Sequence, residues 1–363
     1  MANPKKIKYF TFLLSVVLSM YSIKVQAQKV SYKDGYYVIK QFKFNDGAIL
    51  DSVRMHYYYV GTPHLNKQGN IDNAVLIMHG TGGSGESLLS DNFAGNLFNA
   101  GQILDASKYF IILPDALGHG KSSKPSDGLK MNFPNYTYDD MVDADYLLLT
   151  NHLNIKHARL IMGTSMGAMH TWVFGYRYPD YMDALMPLAS LPIEIAGRNR
   201  ILRKMIIDAI KTDPDWNHGN YVQQPKMALK HALDILMIMS SAPLQMQKEA
   251  PTKVLSEQYL DKYMANATKG KDVNDMIYQF DASREYNPAP YLSKIKAPLV
   301  AINSADDQIN PPELKVLDTA ITKVQKGKYI LLPITSETRG HGTHSLPKIW
   351  DSSLQALLEQ TKN

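Results

Sequence analysis

The chain has 363 residues, a formal net charge of +5 and no cysteine. That composition excludes disulfides and lipid-modified cysteine, and the length is enough to bury a large core. Most of the net charge belongs to Lys5, Lys6, Lys8 and Lys24 in the acid-free first stretch, so the remainder is nearly neutral and gives no electrostatic reason to expect a nucleic-acid partner.

The basic start runs into a largely apolar, uncharged segment over residues 9–23, followed by Val25-Gln26-Ala27. This order predicts a secretory signal peptide cleaved after Ala27 rather than an anchor, because the apolar run is shorter than the roughly 20 residues of a membrane span. A secreted or periplasmic protein with no stable span after cleavage is expected. Residues 36–60 alternate and are rich in Tyr, Val and Ile around the turn Asn45-Asp46-Gly47, which predicts an antiparallel hairpin. Residues 73–80 and 109–115 are short, continuous apolar runs, as in strands buried on both faces. Residues 137–153 open with a threonine and two early acids, a helix start. A strand over 157–163 and a helix over 166–179 follow. Residues 182–190, 297–304 and 328–334 read as further strands, with helices over 311–324 and 346–360 flanking the last.

Strands alternating with helices predict an α/β fold with a mostly parallel central sheet. Residues 192–290 interrupt the alternation and read as helical throughout. Ile201, Leu202, Met205, Ile206, Ala209 and Ile210 supply one apolar helical face there. A helical insertion between parallel strands predicts a lid over their carboxyl ends, where ligands bind in open α/β sheets. The expected organisation is therefore a signal peptide (1–27), a core in two parts (28–191 and 291–363) and a lid (192–290). No fixed-period repeat or low-complexity tract is present.

Gly163-Thr164-Ser165-Met166-Gly167 lies between a predicted strand and a predicted helix. A nucleophile elbow has this placement, with glycines where strand and helix approach too closely for side chains. A serine hydroxyl needs a base and a group to orient that base. The acid is expected after the strand at 297–304, in Ser304-Ala305-Asp306-Asp307. Asp307 is the candidate, with Asp306 the alternative. His341, between Gly340 and Gly342 after the last strand, is the candidate base. His344 is the weaker candidate, read as a surface or capping residue. The pair lacks a third ligand and any HExxH pattern, so no metal is expected. The glycine-rich loop after residue 78 lacks the lysine of a phosphate cradle. It is read instead as half of an oxyanion hole, with the N–H groups of Thr81 and Met166 as donors. Met205, Met227, Met237 and Met239 are candidates for an adaptable apolar pocket. Trp172 and Trp350 read as helix core residues.

With these features in place the chain resembles the α/β-hydrolase superfamily, and within it the homoserine O-acetyltransferase-like branch. The likeness extends from residue 73 to 350, and Asp213-Pro214-Asp215-Trp216-Asn217-His218-Gly219-Asn220-Tyr221 is its most telling stretch. The resemblance implies that Ser165 is the nucleophile, Asp307 the acid and His341 the base. It also implies an arginine on the first lid helix to hold a homoserine carboxylate, where this chain has Ile207. Arg198, Arg200 and Arg203 are nearby candidates to compensate. Together with the export signal, this favours an ester hydrolase without cofactor, acting on a small-molecule ester. An acyltransferase on the same triad is the alternative, and a catalytically silent ligand-binding protein the third. A homodimer is left open.

Overall fold

The computed structural model describes residues 30–361, so the expected signal peptide lies outside the described residues. The first two strands, β1 (Lys33–Lys43) and β2 (Ile49–Val60), form the antiparallel hairpin. Its turn is closed by Phe44 N–H donating to Ala48 O at 2.8 Å, with Gly47 at φ 92°. The later strands are β3 (Ala74–Met78), β4 (Phe110–Asp115), β5 (Leu160–Thr164), β6 (Leu185–Leu188), β7 (Leu299–Ser304) and β8 (Gly327–Leu332). Among the described residues they build one eight-stranded sheet in the order β1-β2-β4-β3-β5-β6-β7-β8. All neighbours from β4 to β8 are parallel, and β2 meets β4 antiparallel.

The apolar runs form β3, β4, β5 and β7, which are buried along their whole length. Side chains of a strand alternate between faces. Leu76 and Met78 therefore enter one core cluster, and Val75 and Ile77 the other. The first core takes α2 (Tyr138–Leu147), α3 (Met166–Arg177) and the inserted helices, and the second takes α1 (Ala94–Leu97) and α10 (Asp351–Gln360). Helix α2 starts at Thr137, which shares a reciprocal capping box with Asp140. It passes into a wide turn over Leu148–His152.

Between β6 and β7 lie α4 (Gly197–Lys211), α5 (Lys226–Ser240), α6 (Pro243–Glu249), α7 (Lys253–Ala267) and α8 (Val273–Asp281). The apolar face expected on α4 is corrected. The buried stripe is Arg203, Ile206, Ile207 and Ile210, whereas Ile201 and Met205 are 60% and 46% exposed. This helix is clasped by α5 and α8, and the side that meets them selects the stripe. Two further helices differ from expectation. The segment 311–324 is broken at Lys315 (φ 51°) into a tight turn, the short α9 (Val316–Ala320) and another turn. Leu314 and Lys315 donate to the carbonyls three residues back, Pro311 and Pro312, which tightens the chain below an α-helical pitch. The last helix begins at Asp351, after a single tight turn at Pro347–Ile349. Trp350 thus precedes the helix, although it is buried as expected, as is Trp172 within α3.

Candidate active site

Ser165 sits at the junction of β5 and α3 with φ 55° and ψ −110°, a strained backbone for a residue with a side chain. The flanking glycines make that turn possible. A Cβ on Gly163 would lie 2.2 Å from the carbonyl of Gly167, and one on Gly167 would lie 2.1 Å from Met78 O. The turn is held by Ser165 N–H on Leu188 O (2.9 Å) and Gly167 N–H on His79 O (3.0 Å). The hydroxyl is thereby lifted above the carboxyl ends of the strands.

Three side chains far apart in sequence meet there. His341 Nε2 is 2.7 Å from Ser165 Oγ, and His341 Nδ1 is 2.8 Å from Asp307 Oδ2. Asp307 also accepts hydrogen bonds from Ile309 N–H (2.8 Å), Asn310 N–H (3.2 Å) and Asn310 Nδ2 (2.9 Å). Burial pushes the Asp307 carboxyl up, but the charge and hydrogen bond of His341, with those of Asn310 and Ile309, outweigh it and leave the group below its ordinary value. Asp306 has a different task. Its Oδ2 accepts from Gly340 N–H at 2.9 Å, tethering the loop that presents His341. His344 is not a surface residue: its ring lies edge-on to His341 at 5.3 Å and lines the cavity beside Ser165.

The oxyanion loop lies against the elbow, since a Cβ on Gly80 would be 3.3 Å from Ser165 Cβ. Among the described residues neither Thr81 N–H nor Met166 N–H donates to another backbone group outside its own element. Thr81 lines the cavity, and Met166 opens α3, where the first N–H groups have no partner within the helix. Such an arrangement of hydroxyl, imidazole, carboxylate and idle amides is able to take up a carbonyl carbon and stabilise the alkoxide formed on it.

The α/β-hydrolase-fold family matches residues 73–326. The chain belongs to the α/β-hydrolase family. Within it the sequence falls in the homoserine O-acetyltransferase-like branch. It is 30% identical over 300 residues to a homoserine O-acetyltransferase of Haemophilus influenzae, covering 73% of this chain and 81% of that protein. It is 28% identical over 286 residues to a probable acyltransferase of Methanothermobacter thermautotrophicus, covering 78% and 86%. Among solved structures it is similar in fold to the acetyl esterase MekB, with a TM-score of 0.79, 22% identity and coverage of 90% and 97%. The homoserine O-acetyltransferase of Bacillus anthracis gives 0.76, 21%, 91% and 98%.

In this α/β-hydrolase a cavity of about 360 Å³ opens above Ser165 and His341. The inserted helices supply its roof, through Arg203, Leu236, Met239 and Tyr263. Of the methionines expected there only Met239 lines it. Met205 and Met227 are largely exposed and Met237 is buried elsewhere, because a helix turns only one stripe towards the sheet. Ile207 is buried outside the cavity lining, and Arg203, one turn earlier, faces in. Its Nε donates to Asn199 Oδ1 (2.9 Å) and its Nη1 to Ser283 Oγ (3.2 Å). Arg200 pairs with Asp281 and Arg198 bonds the Gln308 carbonyl, whereas Arg203 has no carboxylate partner among the described residues.

The telling stretch over 213–221 braces the insertion: Trp216 Nε1 donates to Asn274 Oδ1 (2.8 Å) and Tyr221 OH to Asp272 Oδ2 (2.6 Å). Among the described residues no cluster of three or more His, Asp or Glu side chains is arranged to hold a metal ion. Sequence reasoning missed Asn310, whose amide bridges Asp307 and Ala189 O. Its only trace in the sequence is an offset of three residues from the acid.

Proposed function

We propose that the protein is a serine hydrolase that cleaves a small-molecule ester, with the inserted helices acting as a lid. The observation that carries this reading is the unbroken chain of hydrogen bonds from Ser165 through His341 to Asp307, set on a strained elbow. Ser165 Oγ attacks the carbonyl carbon as its proton passes to His341 Nε2. Asp307 holds the ring with Nδ1–H towards it and stabilises the imidazolium. Thr81 and Met166 N–H groups receive the alkoxide. When it collapses, the alcohol leaves with the proton from His341, and water then resolves the acyl-enzyme by the same steps. The basic-then-apolar start of the chain supports export.

Acyl transfer is the second reading. The names of the curated relatives favour it, and so does Arg203, because an unpaired guanidinium over the nucleophile suits a substrate bearing a carboxylate. The purified protein is expected to be labelled by a fluorophosphonate at Ser165 and to hydrolyse p-nitrophenyl acetate. Ser165→Ala is expected to lose both, with kcat down about 10⁶-fold. An unlabelled, folded parent would end the hydrolase reading. Product analysis with an added acceptor alcohol separates the two chemistries, since acylated acceptor exceeding free acid would make transfer the reaction.

A further inference from the structure

The oxyanion loop is held from above as well as from below. Lys271 lies in the turn between α7 and α8, and its Nζ donates to Gly82 O, 189 residues away in the chain. Among the described residues it pairs with no carboxylate, so its ammonium acts on that carbonyl. Two residues of α8 that follow it also grip the core. Asp275 accepts from Ser126 N–H (2.8 Å) and Ser126 Oγ–H (2.6 Å), and Gln279 Nε2 donates to Gly118 O (2.9 Å). Lys271 is thus seated by a docked edge rather than by a loose side chain.

What Lys271 touches matters because of the peptide next to it. In a trans peptide the C=O and the following N–H point in opposite directions, so fixing one fixes the other. Gly82 O belongs to the peptide whose N–H is that of Gly83. That N–H donates to Gly80 O at 3.0 Å, closing a turn with Gly82 at φ 73°. Gly80 O in turn belongs to the peptide whose N–H is that of Thr81. A second hand holds it: His79 Nδ1 donates to Gly80 O at 2.8 Å, its Nε2 being occupied as acceptor of Ala116 N–H at 3.1 Å. The order is ammonium, peptide 82–83, peptide 80–81, Thr81 N–H. Aligned hydrogen bonds in such a chain polarise one another.

We propose that Lys271 is a positioning residue for the oxyanion hole: from the lid, it orients and polarises the Thr81 N–H through two successive peptides. This rests on the serine-hydrolase reading and extends it, since the lid then completes the catalytic floor as well as roofing the cavity. Because His79 still holds Gly80 O without it, losing the ammonium weakens the donor rather than removing it.

The test uses Lys271→Met and Lys271→Arg in the full chain, assayed on an ester and on the matching thionoester, whose sulfur accepts amide hydrogen bonds poorly. For Lys271→Met, kcat on the ester is expected to fall about 10-fold with KM within about twofold, less than the roughly 10²–10³-fold of deleting an oxyanion donor outright. The ester-over-thionoester rate ratio is expected to fall with it, and Lys271→Arg to recover most of the loss. An unchanged kcat, a loss equal on both substrates, or a change confined to KM would overturn the proposal. Fluorophosphonate labelling of the parent keeps the two levels apart. A parent that neither labels nor turns over removes the reading beneath, whereas an active parent matched by Lys271→Met removes the lysine's role alone.

Discussion

The floor and the roof of the cavity are equally buried and differently completed. On the floor, Asp307 is 1% exposed and both its oxygens are filled, by His341, Asn310 and Ile309. On the roof, Arg203 is 2% exposed, yet among the described residues its guanidinium bonds an amide oxygen and a hydroxyl and lies over the face of Phe280, with no carboxylate. A buried ion carries a desolvation penalty of several kcal/mol that neutral partners only partly offset. Three of the five N–H donors of an arginine are left over when two are used. The floor therefore has its polar groups paired within the protein, whereas the roof keeps donors free. On the proposed hydrolase reading, the first would carry the chemistry and the second the choice among substrates.

That division breaks first, if it breaks, at the acids. Asp307→Asn reverses the hydrogen-bonding sense facing His341 and is expected to lower kcat on p-nitrophenyl acetate about 10⁴-fold. Asp306→Ala removes the acceptor of Gly340 N–H and of the Ser304 hydroxyl and is expected to lower it about 10-fold, a loss of position rather than of a proton partner. Equal losses would show that the floor is not organised around Asp307. A smaller effect sharpens the roof. Arg203→Met is expected to lower kcat/KM for an ester carrying a carboxylate about 10–100-fold, the worth of one charge-assisted contact. A neutral acetate ester should change little, and a parallel drop on both would return Arg203 to a packing role.

The smallest effect is on stability and concerns what supports the floor. His170, on α3 beneath the elbow, is fully buried, and that burial, with the charge of His79 adding to it, pushes its pKa down to about 3. Between pH 6.5 and 3 the unfolded chain therefore binds a proton there that the folded one refuses. Stability from this group is complete above pH 6.5 and is lost as pH falls, by about 1.4 kcal/mol per pH unit. Urea midpoints at pH 5 and pH 7 measure it. His170→Phe is expected to flatten the dependence by one proton's worth, and an undiminished slope would place the titration elsewhere.

Some of this was written into contiguous residues. Gly163 and Gly167 flank Ser165 because a Cβ at either position would come within about 2 Å of facing backbone atoms, and Thr137 with Asp140 announces a helix start because one turn brings them together. The alternating hairpin and the four continuously apolar strands are legible for the same reason, since their periods are set by the backbone itself. Other features were not. Nothing near Met205 or Met227 records which side of α4 or α5 would face solvent, or that Arg203 would occupy the cavity one turn before Ile207. The breaks at Lys315 and Trp350 also escape a reading by periodicity.

The sequence by itself determined the fold class, the order of its elements and the elbow, since each follows from sterics and hydrogen bonding within a few residues. Only the tertiary structure decided which of two adjacent aspartates meets His341, which face of α4 is buried, and that Lys271 reaches Gly82. Those outcomes depend on partners that meet only once the sheet has formed and the insertion has docked on it.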